Sequence, residues 1–225
     1  MLITGGLGYI GQNLLEQLEN PLVYDIKDGD DILDITNVAK KMREATVCYH
    51  LAAVSSVPLC EAYPVNAIET NIIGTLNILK AAKEKGVKVV FASSFAVYTN
   101  PNTIYGMTKI LGEKIVEQYG GVVCRIANVY GGKGFLKKET AVSRLMKGTF
   151  EERGHGQEKR DFIHIDEVCK GLIRASVLSP TSVIDICTGK TLSIDEIVDL
   201  SNKPDFPMNI QSYERGARGA VKIQS

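Results

Sequence analysis

The feature that most restricts the fold lies at the start of the chain. A short apolar run, Leu2 to Thr4, turns directly into Gly5-Gly6-Leu7-Gly8-Tyr9-Ile10-Gly11, and an amphipathic segment follows. Gly5, Gly8 and Gly11 stand three apart. After a strand, such spacing permits a tight turn and close backbone approach to a ligand, and it leaves free N–H groups at the positive end of a helix. Those are the needs of a dinucleotide pyrophosphate. A plain strand-to-helix turn would accept the same glycines, so the next strand matters. Fourteen positions after Gly11, the run from Leu22 ends on Asp25, where a carboxylate can accept hydrogen bonds from the adenosine ribose hydroxyls. A 2′-phosphate would meet like charge there, which favours NAD over NADP. The competing reading of Asp25 is a solvated acid at a strand end.

Short apolar runs alternate with segments of helical period along the rest of the chain. Strands are expected at Leu2 to Thr4, Leu22 to Asp25, Thr46 to Leu51, Val87 to Ala92, Val122 to Ile126 and Val183 to Cys187. Helices are expected at Tyr9 to Leu18, Val38 to Glu44, Val65 to Lys85, Ile104 to Tyr119, Ala141 to Met146 and Glu167 to Leu178, with a last helix opened by a capping box, Ser193 to Glu196. This order predicts an α/β fold with helices around a parallel sheet. Gly131 to Gly156 is rich in glycine, lysine and glutamate and breaks the alternation. The expected organisation is a dinucleotide-binding core over residues 1–130, and a small lobe over 131–225 interleaved with the last strand and helix of the core.

Lysine plus arginine equals aspartate plus glutamate at 26 each, so the basic excess that drives binding to nucleic acid is missing. No apolar run is long enough to span a bilayer, and the N-terminus carries no leader-like segment. A cytoplasmic protein with neither nucleic-acid nor membrane partners is expected. The five cysteines, Cys48, Cys60, Cys124, Cys169 and Cys187, are odd in number and set among apolar neighbours, and read as reduced core residues.

The fourth strand runs into Ser93-Ser94-Phe95-Ala96-Val97-Tyr98, and Tyr105-Gly106-Met107-Thr108-Lys109 opens the following helix. Residues four apart share a helix face. A phenol titrates near ~10, too high for a base at neutral pH, and an adjacent ammonium is expected to lower that value. Ser94 can donate to the same substrate oxygen. Ser94, Tyr105 and Lys109 are therefore the candidate catalytic residues. A bare Tyr-x-x-x-Lys also fits a helix-surface pair, but the glycine loop and Ser94 argue against it. His164, Asp166 and Glu167 lack the further ligands of a metal site, and Asp166 stands where a helix N-cap is wanted, so no metal is expected. His50 reads as packed against the groove rather than as a base. Lys133, Lys137 and Lys138 read as a solvated loop.

Taken with Gly29-Asp30-Asp31-Ile32, His50-Leu51-Ala52-Ala53, Asn71-Ile72-Ile73-Gly74-Thr75-Leu76, Arg125-Ile126-Ala127-Asn128-Val129-Tyr130-Gly131 and the run from Arg160-Asp161-Phe162 to Val168, these motifs resemble the NAD-dependent epimerase/dehydratase branch of the extended short-chain dehydrogenases. The resemblance covers nearly the whole chain. It implies a Rossmann-type doubly wound parallel sheet with a small, shortened substrate-binding lobe, NAD as cofactor, a nucleotide-diphosphate sugar as partner, and a homodimer joined through the two long helices. It implies a cofactor groove built by Gly5, Gly8, Tyr9, Ile10, Gly11, Asp25, Leu51, Ala52, Ala53, Asn71, Ser93, Tyr105 and Lys109, with Asp31 and Ile32 flanking adenine. Asn128 and Arg160 are implied to hold the substrate diphosphate, with Arg215 and Arg218 as further phosphate contacts.

The chain departs from that family in three places. Only six positions separate Asp25 from Asp31, the connection from Tyr98 to Tyr105 is brief, and Ser225 follows soon after Arg218, where relatives carry a further helical segment. Family dehydratases and decarboxylases carry acids just after the serine. Phe95 and Ala96 stand there and move no proton, which favours oxidation and re-reduction, and so 4-epimerisation. A nucleotide 4-keto-sugar reductase and a non-catalytic NAD sensor remain the alternatives.

Overall fold

In the computed structural model, which describes residues 1–134, 143, 159–193, 196 and 221–223, the apolar runs form two sheets. The strands are β1 (Leu2–Thr4), β2 (Leu22–Tyr24), β3 (Val47–His50), β4 (Lys88–Ser94), β5 (Val122–Ile126), β6 (Asn128–Tyr130), β7 (Lys159–His164), β8 (Val183–Ile186), β9 (Thr191–Ser193) and β10 (Val221–Ile223). The main sheet has the order β10-β8-β5-β4-β3-β1-β2 and is parallel except for β10, which runs antiparallel to β8. The helices are α1 (Tyr9–Leu15), α2 (Ile35–Met42), α3 (Val57–Ala62), α4 (Pro64–Ile68), α5 (Thr75–Lys85), α6 (Ala96–Thr99), α7 (Ile104–Gln118) and α8 (Ile165–Ala175).

Strand residues alternate between two cores, because successive side chains point to opposite faces. Ile3, Tyr49, Val90, Cys124 and Ile184 pack on one face with Leu14 of α1 and Leu172 of α8. Leu2, Cys48, Val89, Phe91 and Val123 pack on the other with Met42 of α2, Leu79 of α5 and Val116 of α7. Burial on both faces explains why the strands read as continuous apolar runs. All five cysteines are buried and free, as the sequence predicts. Among the described residues no helix is long and apolar enough to cross a membrane.

Several expectations need correction. The segment expected as one helix over Val65 to Lys85 is α4, a six-residue π turn (Glu69–Gly74) and α5 in succession. A second sheet, β6-β7-β9, is not signalled locally, since its short strands find partners about thirty positions away. The expected boundary at residue 130 therefore falls between paired strands, with β6 in the second sheet and β10 back in the main one. Asp166 is not the N-cap of α8. That helix starts at Ile165, so His164 occupies the cap and its Nδ1 accepts from Asp166 N at 3.3 Å. The capping box at Ser193 forms as expected, Ser193 N donating to Glu196 and Glu196 N to Ser193 Oγ. The helix expected over Ala141 to Met146 lies outside the described residues apart from Ser143.

Candidate active site

The glycine turn is fixed by contact. Gly5 has φ +71°, and a Cβ on it would lie 2.7 Å from Ala52 N; a Cβ on Gly11 would lie 2.4 Å from the Gly5 carbonyl oxygen. Neither position accepts a side chain. Gly8 is the N-cap of α1 and no side chain caps that helix, so first-turn amides keep donors for an anion. Asp25 braces the turn: its Oδ2 accepts from Leu7 N at 2.9 Å and its Oδ1 from Lys27 N at 3.0 Å. At 5% exposure Asp25 is not the solvated acid of the competing reading. Each of its oxygens retains a lone pair for a further donor.

A groove of about 640 Å³ runs along the C-terminal ends of β2, β1, β3 and β4. Asp25, Asp31 and Ile32 line one end, Gly5, Gly8, Tyr9, Ile10 and Gly11 the middle, and Leu51, Ala52, Ala53, Ser93, Ser94, Tyr105 and Lys109 the rest. These residues fit NAD: a glycine turn that would clash with any Cβ, uncapped helix amides and a buried carboxylate. Asn71 is the exception among the expected groove residues. It lies behind the wall, 3% exposed, where its Oδ1 accepts from Val54 N and its Nδ2 donates to the Val54 carbonyl and to Thr108 Oγ1. The π turn offsets the helical register there, and the preceding residue, Thr70, faces the groove instead.

At the far end Tyr105 is 9% exposed, with the Ser94 hydroxyl beside its phenol. Lys109, one turn on, donates from Nζ to the Ala92 carbonyl at 2.7 Å and lies 4.7 Å from the Phe91 ring centroid. Burial pushes the Tyr105 phenol up to about 12; the neighbouring Ser94 hydroxyl opposes the shift and Cys60 adds to it. This corrects the expectation of a lowered phenol. The ammonium is turned to Ala92 and stands 5.9 Å from the Tyr105 ring centroid, and burial pulls Lys109 itself down to about 8. His50 sits beneath the groove, 1% exposed, between Thr4 Oγ1 at 2.7 Å and Thr75 Oγ1 at 2.9 Å. Burial, with Lys109 adding to it, holds its imidazole at about 3, neutral and no base.

Asn128 and Arg160, expected to share a phosphate, stand close together in the second sheet. Asn128 pairs with Phe162 in register, and its Nδ2 donates to the Asp161 carbonyl at 3.1 Å. The sequence reading missed Asp161 itself. It is 5% exposed, and its carboxylate accepts from Thr188 N, Thr188 Oγ1 and Gly189 N, tying β7 to the turn before β9. A charged pair opening an apolar run, Arg160-Asp161-Phe162, was the available signal. Lys133 donates to Glu16 at the loop surface, whereas Lys137, Lys138, Arg215 and Arg218 lie outside the described residues.

A parallel sheet carrying this glycine turn, with Ser, Tyr and Lys converging at the strand ends, defines a dinucleotide-binding protein of the short-chain dehydrogenase type. More specifically, the chain belongs to the NAD dependent epimerase/dehydratase family, whose sequence profile matches residues 1–181, and its cofactor is NAD. It is 29% identical over 232 residues to a GDP-6-deoxy-D-talose 4-dehydrogenase of Aggregatibacter actinomycetemcomitans, covering 89% of this chain and 78% of that protein. It resembles the UDP-glucose 4-epimerase of Thermotoga maritima solved with UDP-glucose, with 25% identity, a TM-score of 0.78, and coverage of 88% of this chain and 80% of that one. It resembles equally the UDP-glucose 4-epimerase of Thermus thermophilus in complex with NAD, with 26% identity, a TM-score of 0.78, and coverage of 88% and 81%.

Proposed function

We propose that this protein is an NAD-dependent nucleotide-sugar epimerase that inverts the sugar at C4 through a transient 4-keto sugar. The observation that carries the reading is the composition of the groove's far end, where Ser94, Tyr105 and Lys109 meet with no carboxylate among the described lining residues. The acids of the groove, Asp25, Asp30 and Asp31, lie at or just beyond β2, three strands from Ser94 or on the order of 14 Å. Phe95 and Ala96 supply neither acid nor base, so the keto sugar has no proton shuttle toward elimination.

Tyr105 takes the proton of the C4 hydroxyl and later returns it, while Ser94 holds the same oxygen. When bound, NAD would supply the reversible hydride acceptor. Asp25 receives the adenosine ribose, Asp31 and Ile32 flank adenine, and Lys109 reaches the nicotinamide ribose. Asn128 and Arg160 receive the diphosphate of the sugar nucleotide, with the β6-β7-β9 sheet as the framework of the substrate lobe. The chain's similarity to a 4-dehydrogenase favours a second reading, oxidation or reduction at C4 with net cofactor turnover. Incubation with a panel of nucleotide sugars and catalytic NAD, followed by NMR, tests the proposal. A C4 epimer is the expected product, and stoichiometric NADH would favour the second reading.

A homodimer is part of the same proposal. Ile68, Ile73, Met107 and Leu111 leave apolar surface on the neighbouring α4-α5 and α7 helices. Sedimentation tests it, and a single-chain mass at micromolar concentration would overturn it.

A further inference from the structure

Behind the groove, a row of polar side chains crosses three adjacent strands. Ser93 of β4 stands in register with Arg125 of β5, and Arg125 with Asp185 of β8. All three point to the face covered by α7, from which Glu113 descends onto the row, 3% exposed. Ser93 Oγ donates to Glu113 Oε1 at 2.5 Å. Arg125 closes a fork on the same carboxylate, Nη2 to Oε2 at 2.8 Å and Nε to Oε1 at 3.0 Å, and its Nη1 donates to Tyr98 OH. Tyr98 OH donates in turn to Asp185 Oδ1 at 3.1 Å. The groove chemistry uses none of these contacts, yet each ends beside it. Ser93 precedes Ser94, Tyr98 closes the short helix after it, and Glu113 lies one turn beyond Lys109.

We propose that Glu113 is a positioning residue for Ser94 and Lys109, its carboxylate tying the end of β4 to α7 through Ser93 and Arg125. The tie adds to the hydrogen bond from Lys109 Nζ to the Ala92 carbonyl, which also joins the helix to the strand. Ser94 comes from a strand, Tyr105 and Lys109 come from a helix, and bringing all three to one substrate oxygen and cofactor needs the two elements in fixed register. A bidentate arginine-carboxylate pair gives that geometry more stiffness than a single bond does. The charge matters too. Lys109 is faced by Tyr105 and Glu113 on its own helix, Cys60 on α3 and His50 on β3, and the Glu113 carboxylate is the chief group opposing the loss of its proton.

The inference rests on the proposed reaction, so its test carries one readout that does not. In Glu113→Gln, kcat on a nucleotide sugar should fall on the order of tenfold and NAD affinity by less than that, because Lys109 is displaced rather than removed. Competitive acetylation of the lysines across pH, read by mass spectrometry, should find Lys109 half-labelled at lower pH than in the wild type. The Gln change leaves Arg125 without its counter-charge, so Ser93→Ala provides a variant that keeps the ion pair. In Ser93→Ala, kcat should fall while the half-labelling pH of Lys109 stays. An unchanged half-labelling pH in Glu113→Gln, or wild-type kcat in Ser93→Ala, overturns the proposal. Should the wild type turn over no nucleotide sugar, the functional reading fails, and the labelling of Lys109 alone decides this one.

Discussion

At the cofactor end of the groove, the bonds that shape the glycine turn are short-range in sequence. Asp25 meets Leu7 N only 18 positions away, and the turn from Gly5 to Gly11 lies within one strand-helix junction. In the second sheet Asn128 reaches the Asp161 carbonyl 33 positions on, and Asp161 reaches Thr188 another 27 on. The first region is a backbone device, with glycines where a Cβ would collide and amides turned to the ligand. The second is a side-chain device, whose polar groups converge only once strands far apart in the chain have paired. The two meet where Tyr9 of α1 donates to the Gly131 carbonyl and Asn13 pairs with Lys133, so damage to either away from that junction should leave the other largely intact.

Substitutions on the two sides should separate accordingly. Lys109→Ala should have the largest effect, costing both turnover and NAD affinity, since the ammonium holds the end of β4 through the Ala92 carbonyl and reaches the cofactor ribose. Tyr105→Phe should lower kcat on the order of 10²- to 10⁴-fold while NAD binding persists, because only the proton-transfer oxygen is deleted. On the other side, Arg160→Ala should weaken binding of the sugar nucleotide by roughly 2 kcal/mol and leave the NAD Kd nearly unchanged. Calorimetry with both ligands reads this dissociation. An Arg160→Ala protein that loses NAD, or keeps the sugar nucleotide, breaks the division between the two ends.

The same division explains what the sequence made legible. Glycine spacing and a strand-end acid are local and carry their physics in the residues themselves, so the turn and Asp25 could be placed from sequence. Continuous apolar runs, the mark of strands buried on both faces, announced the six parallel strands of the main sheet. The second sheet could not be read this way, because three-residue strands such as β6 and β9 give too short a pattern to stand out. Asn71, given to the groove by the resemblance alone, lies behind its wall, where a π turn offsets the 3.6-residue register and Thr70 faces the groove. Tyr105 was misread electrostatically. Spacing alone sets Lys109 on its face, but only the fold reveals that the ammonium turns to Ala92 and that burial raises the phenol.

The central claim is that Tyr105 and Ser94 run a reversible proton transfer at C4 with no other acid or base to divert the keto sugar. A nucleotide sugar carrying deuterium at C4 tests it most directly. Retention of the label at C4 of the epimer, with no net NADH, is the predicted result. Loss of the label to solvent, or build-up of NADH with oxidised sugar, would contradict it.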